Sequence, residues 1–228
     1  MRTLWVIEIL FLAWSAVAQE KHINVQKIYE QGEEAYNRGD YAEALTLMDK
    51  CLQENPGFAD AYLTRAATRE QLKDWQGSHT DYNVYLSLKP NQPEALYSLA
   101  LLQYRMDLYS QAKENLLTLL TLPPGETNTI YFKQSASATG TNQITTAQSA
   151  IRPQIYNYLG LVETKLNHFE SAIQWLDSAI SLQNKEPDYY VNRGVAKEGL
   201  QDTTAYSDYE QALRLNPSHP AAMHNMAV

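Results

Sequence analysis

A single cysteine, Cys51, stands in 228 residues, so no internal disulfide can form and the fold must hold by packing alone. Cys51 also lies far beyond any amino-terminal processing point, which excludes it as a lipid carrier. Positive charge is scarce as well: 18 Lys and Arg against 26 Asp and Glu leave a net charge of -8. A nucleic-acid partner needs clustered cations to displace counterions from phosphates, so none is expected. Catalytic signatures are missing too, with no G-x-S-x-G, no glycine-rich phosphate loop and no H-E-x-x-H. His79 and Asp81 lie two apart in a helical stretch and point to different faces. His219 and His224 flank a proline without a thiol or carboxylate beside them to complete a metal site, and read as exposed helix-end residues. No enzyme activity, metal or cofactor is expected.

Long apolar runs are confined to the start. The segment "MRTLWVIEILFLAWSAVAQE" has Arg2, an apolar stretch interrupted by Glu8, and Ala16-Val17-Ala18 ahead of Gln19. This predicts a secretory signal over 1–18, cleavage before Gln19, and an exported chain, periplasmic or secreted. No later run is long enough to span a bilayer.

What is present is a recurrence. Tyr41, Ala44 and Pro56 return 34 residues later as Trp75, Ser78 and Pro90, and 34 later again as Tyr109, Ala112 and Pro124. Each interval holds two stretches of helical apolar period joined by a short polar turn, which is a repeated helix hairpin. Small residues at Gly32, Ala66 and Ala100 in the first helix let it approach the second, and each proline ends a hairpin. A shift of 60 then restores the pattern at Phe169, Ala172, Ala179 and Asn184, so 26 residues are inserted. The last unit ends at Pro217 and lacks the aromatic ahead of Ala205, which implies a tighter turn or a second helix that starts later.

These residues resemble the tetratricopeptide repeat, best in "YNYLGLVETKLNHFESAIQWLDSAI", where Tyr156, Leu159, Gly160, Phe169, Ala172 and Ala179 fit the family pattern. The resemblance implies an all-α, right-handed superhelical solenoid with units at 25–58, 59–92, 93–124, 153–186 and 187–219, a partial unit at 220–228, a lead at 19–24 and an insertion at 125–152. Arg65 and Arg193 depart from the pattern where leucine is usual. Tyr85 departs where a small residue is usual, implying a locally wider hairpin. In the insertion, "NTIYFKQ" and "NQITTAQ" carry strand formers around a Ser-Ala-Thr-Gly stretch, so a β-hairpin and a disordered loop are both open.

The family's use of its first-helix inner face implies a ligand groove at Tyr29, Glu33 and Tyr36; at Leu63 and Glu70, with Asp60; at Tyr97, Leu101, Tyr104 and Arg105, with Glu94; at Asn157, Leu161 and Lys165; and at Val191 and Glu198, with Asp188 and Val195. Tyr97 and Tyr104 read equally well as ligand contacts or as packing between repeats. Six carboxylates against two cations imply a basic or neutral protein or peptide. The Lys and Asn clamp by which some members grip a terminal carboxylate is absent. Beyond Pro217 a new unit begins in register with Pro220 as a first helical residue, and Met223 and Met226 would form an interaction face, self-association included. The implied function is a non-enzymatic scaffold or adaptor. Two alternatives are an interaction module of a longer exported enzyme or secretion machine, and a glycan or small-molecule binder.

Overall fold

The computed structural model describes residues 24–122 and 148–227. The expected signal segment, Pro124 and most of the inserted stretch, with its β-hairpin and loop readings, lie outside them. Everything described is helix or turn: α1 (24–38), α2 (Tyr41–Glu54), α3 (Ala59–Gln71), α4 (Trp75–Leu88), α5 (Pro93–Arg105), α6 (Tyr109–Thr121), α7 (Gln148–Lys165), α8 (Phe169–Leu182), α9 (Pro187–Gly199), α10 (Ala205–Leu215) and α11 (Pro220–Met226). They form two compact units, divided between Ala95 and Leu96.

The hairpins are made by one backbone device. Gly39, Lys73, Asp107, Asn167 and Gln201, each just past a first helix, all have φ between 59° and 84°. In every case the next N–H reaches back to the last turn, as in Asp40 to the Ala35 carbonyl at 3.0 Å and Asp202 to that of Lys197 at 3.0 Å. This left-handed cap satisfies carbonyls the helix end leaves open and turns the chain. The small residues do what their spacing implied. A Cβ added to Gly32 would stand 2.4 Å from Met48, one on Gly160 2.5 Å from Leu176, and one on Gly194 2.4 Å from Tyr209.

Two expected boundaries move. The helix expected from 153 begins at Gln148, because Pro153 sits only a turn and a half inside α7, where its missing donor costs a single bond. In the last unit the second of the two readings holds: without its aromatic, α10 starts at Ala205, with Thr204 in the N-cap position but no side-chain capping bond. Helices α6 and α7 pack directly on each other although the insertion separates them in sequence, and Lys113 Nζ lies 2.7 Å from the buried Glu163 carboxylate.

The two arginines in leucine positions are held in matching ion networks. Arg65 of α3 donates to both oxygens of buried Asp81 on α4 and to Asp49 on α2, and Arg69 also reaches Asp81 at 2.6 Å. Arg193 of α9 repeats this with buried Asp208 on α10 and with Asp177 on α8, and Lys197 adds a contact to Asp208 at 2.9 Å. Burial alone would lower the Arg193 pKa, but hydrogen bonds to Asp208 and Asp177 outweigh it and the net shift is upward. At the corresponding places of the third repeat stand Leu99, Gln103 and Asn115, with the Asn115 amide donating to Gln103 at 2.8 Å. Tyr85 is buried, with Lys89 Nζ 5.9 Å from the centre of its ring. Cys51 is fully buried, and burial pushes its thiol up to about 11, which keeps it protonated and inert at neutral pH.

Candidate functional site

In the first unit the expected groove residues lie on α1 and α3. Tyr29 packs against Phe58, ring centres 4.9 Å apart, and its hydroxyl is 3.5 Å from Thr64 Oγ1. Tyr36 packs against Tyr41 at 5.7 Å. Burial raises the pKa of both phenols, so they stay neutral hydrogen-bonding groups. Glu33 and Leu63 are half-buried. Glu70 accepts from the Tyr82 hydroxyl at 2.7 Å, and Asp60 pairs with Lys89 at 2.6 Å. Glu94 is half-buried, and burial raises its carboxyl pKa.

In the second unit α5, α7 and α9 carry the rest. Tyr97 is only 4% exposed and meets Tyr158 edge-on at 6.0 Å, so its ring serves packing. Tyr104, seven residues on, is half-buried between Tyr109 at 5.6 Å and Tyr158 at 6.1 Å and keeps an accessible edge. Leu101 and Leu161 are half-buried one turn from Tyr104 and Asn157, while Arg105, Lys165 and Glu198 are exposed. Val191 is buried in a cluster with Tyr190 and Tyr209 and offers little surface, whereas Val195 is exposed. Asn157 accepts from the Asn192 amide at 2.8 Å, across adjacent repeats. Tyr158 and Asn192 were not singled out from sequence; the recurrence of asparagine 35 residues after Asn157 was the available signal.

At the last helix, Pro220 occupies the first turn as its chemistry requires. Met223 is exposed and Met226 is half-buried against the cluster of Tyr190, Val191 and Tyr209. The reading of His219 as an exposed helix-end residue is corrected: it is 8% exposed, accepts from the Ala222 N–H at 3.2 Å through Nδ1, and bonds Asp188 at 2.9 Å through Nε2. It is buried because it caps α11. With Asp60 paired to Lys89, the first unit's inner face is less acidic than a count of carboxylates implies. Among the described residues, no group of three His, Cys, Asp or Glu could hold a metal, and no helix is long and apolar enough to cross a membrane.

The family model for the tetratricopeptide repeat matches residues 29–93, and a second model of the same description matches 153–186. Among curated proteins, sperm-associated antigen 1 of Homo sapiens is 29% identical over 102 residues, 45% of this chain and 11% of that protein. BBSome complex member BBS4 of Bos taurus is 37% identical over 75 residues, 32% of this chain and 14% of that protein. The chain thus spans a small fraction of the curated relatives it matches. Among solved structures, YrrB, described as a TPR protein with an unusual peptide-binding site, superposes with a TM-score of 0.74 at 13% identity, over 95% of this chain and 98% of that one. A MamA fragment from Desulfovibrio magneticus RS-1 gives 0.69 at 17% identity, over 86% and 97%. At these identities the likeness shows the fold alone.

Proposed function

Since this chain is built of tetratricopeptide repeats, we propose that it is a non-enzymatic scaffold whose first-helix faces bind an extended protein or peptide segment. The observation that carries the reading is on α5, α7 and α9, where Leu101, Tyr104 and Leu161 keep part of their apolar surface open, Tyr104 meets Tyr158 at 6.1 Å, and the amides of Asn157 and Asn192 bond each other. Aromatic and aliphatic anchors beside amides suit a peptide, giving apolar burial and main-chain hydrogen bonds together. Glu33, Glu70 and Glu94 on the first unit's face favour a basic or neutral partner over an acidic one. YrrB, of the same fold, is described as having a peptide-binding site.

A pull-down from the native source with the chain as bait tests this. Tyr104→Ala and Leu101→Asp are each expected to cut the recovered partner about tenfold or more, with circular dichroism unchanged, while Glu114→Ala on the exposed side of α6 is expected to leave recovery intact. Equal recovery by all three would reject the face as the site. A second reading, an interaction module within a longer protein, is favoured by the lengths of the curated relatives, of which this chain matches only 11% and 14%.

We further propose that the chain is exported, to the periplasm or beyond, with residues 1–18 removed. The small residues Ala16 and Ala18 support this. Intact mass spectrometry of the exported protein is expected to find Gln19 as the first residue; chains that begin mainly at Met1 would reject it.

A further inference from the structure

The second and fifth repeats share a pair of residues that the others lack. At one place on the inner face of the first helix, the five repeats carry in order Tyr36, Glu70, Tyr104, Thr164 and Glu198. At the matching buried place on the second helix they carry Met48, Tyr82, Leu116, Leu176 and Tyr209. A phenol is thus used only where the inner-face residue is glutamate. Tyr82 is 3% exposed, and its hydroxyl donates to Glu70 Oε1 at 2.7 Å. Tyr209 is wholly buried, and its hydroxyl has no hydrogen-bond partner. Glu198 stands near that hydroxyl without meeting hydrogen-bond geometry: after burial itself, it is the group that most raises the Tyr209 pKa.

Burying a hydroxyl where a hydrocarbon would fit costs free energy that a hydrogen bond does little more than offset, so packing alone favours the Leu and Met of the other repeats. The phenols therefore serve the glutamates. Glu70 is half-buried and Glu198 exposed, so a ligand reaches both. The cations beside them in sequence are committed elsewhere, Arg69 to Asp81 at 2.6 Å and Lys197 to Asp208 at 2.9 Å. A carboxylate offers about four acceptor sites, so a phenol on one oxygen leaves room for a donor from outside. A neutral hydroxyl also steadies a carboxylate without cancelling its charge, as Lys89 does for Asp60.

We propose that Glu70 and Glu198, one in each compact unit, are equivalent receptors for Lys or Arg side chains of the bound segment, and that Tyr82 and Tyr209 are the positioning residues that hold them. This rests on the first-helix faces being the binding faces, and it makes the partner a segment with basic side chains rather than a neutral one. Hydrogen bonds from a cation to a carboxylate are stronger than neutral ones, and they are lost when the cation becomes an amide.

A random-peptide phage library panned against the full chain tests this, with the binders resynthesised as copies in which glutamine replaces each Lys and Arg. Binders are expected to be enriched in Lys and Arg, and the parent chain to hold them about fivefold or more tighter than their glutamine copies at low salt. Glu70→Gln with Glu198→Gln should bring that ratio close to one and leave affinity for the glutamine copies unchanged. Tyr82→Phe with Tyr209→Phe keeps the packing and should lower the ratio part of the way, which a purely structural role of the hydroxyls does not predict. Glu114→Gln with Glu170→Gln makes the same change of net charge on exposed residues of the second helices and should leave the ratio intact. Binders without Lys or Arg, a ratio that survives loss of the two glutamates, or an equal fall in the charge-matched control overturns the proposal. If Tyr104→Ala still abolishes binding in such a case, the inner-face reading stands and this inference alone fails. Absence of binders, or binders indifferent both to Tyr104→Ala and to the glutamates, overturns the two together.

Discussion

Asp208→Ala is expected to lower stability by about 3–5 kcal/mol, the cost of breaking a buried ion pair by removing one partner. The carboxylate is 2% exposed and is the meeting point of Arg193 and Lys197, whose side chains are 20% and 16% exposed. Its removal leaves two cations facing each other at the α9–α10 contact, with only Arg193 keeping a second partner, in Asp177. Asp177→Ala, by contrast, removes a carboxylate that is 53% exposed and should cost at most about 1 kcal/mol. The third repeat supplies the rescue. Arg193→Leu, Lys197→Gln and Asp208→Asn together copy Leu99, Gln103 and Asn115, and should bring stability back to within about 1 kcal/mol of the parent, since replacing a whole buried network is far cheaper than breaking it. Urea unfolding followed by circular dichroism reads all three. Because repeats of this kind contact only their neighbours, the Asp208→Ala loss should appear as an early transition of the last helices.

Tyr209→Ala should be of similar size, about 3–5 kcal/mol, because the ring is wholly buried and nothing nearby can collapse into its place. The ring lies over Gly194, and a Cβ there would come within 2.4 Å of its edge. Gly194→Ala alone should therefore cost about 1–3 kcal/mol by overpacking. Gly194→Ala combined with Tyr209→Leu reproduces the pair Ala100 and Leu116, both buried in the third repeat, and should cost less than the sum of the two single changes. Strict additivity in a double-mutant cycle would show that the glycine and the ring do not constrain each other.

The hairpin order was legible because apolar period, small residues and prolines recur together, and each follows from how two helices must approach and stop. The turns were not legible. Of the five left-handed positions at hairpin turns, Gly39, Asp107 and Asn167 have residue chemistry that favours such a backbone; Lys73 and Gln201 adopt it because the helix pair over-determines them. Arg65 and Arg193 read as departures, yet each has an aspartate 15 or 16 residues away on either side, on the preceding and following helices: Asp49 and Asp81, or Asp177 and Asp208. That spacing could have been searched. For the candidate site, sequence spacing put Tyr97 and Tyr104 on one helix face but not their depth on it: the neighbouring Tyr158 leaves one in the core and the other partly open. His219 escaped because N-capping by a histidine ring is not among the usual serine, threonine or aspartate signals.

The direct packing of α6 on α7 has a consequence for how the chain finds its fold. At α3–α4, α7–α8 and α9–α10, neighbouring helices meet after closing links of a few residues, so their contacts form at little cost in chain entropy. At α6–α7 the chain must close over residues 122–147 before Lys113 can reach Glu163. Against a link of about four residues, a span of about 26 adds roughly 1.6 kcal/mol to loop closure. Contacts of higher sequence separation form later. Within the second unit, the contact of α6 with α7 is therefore expected to form after the hairpin α7–α8.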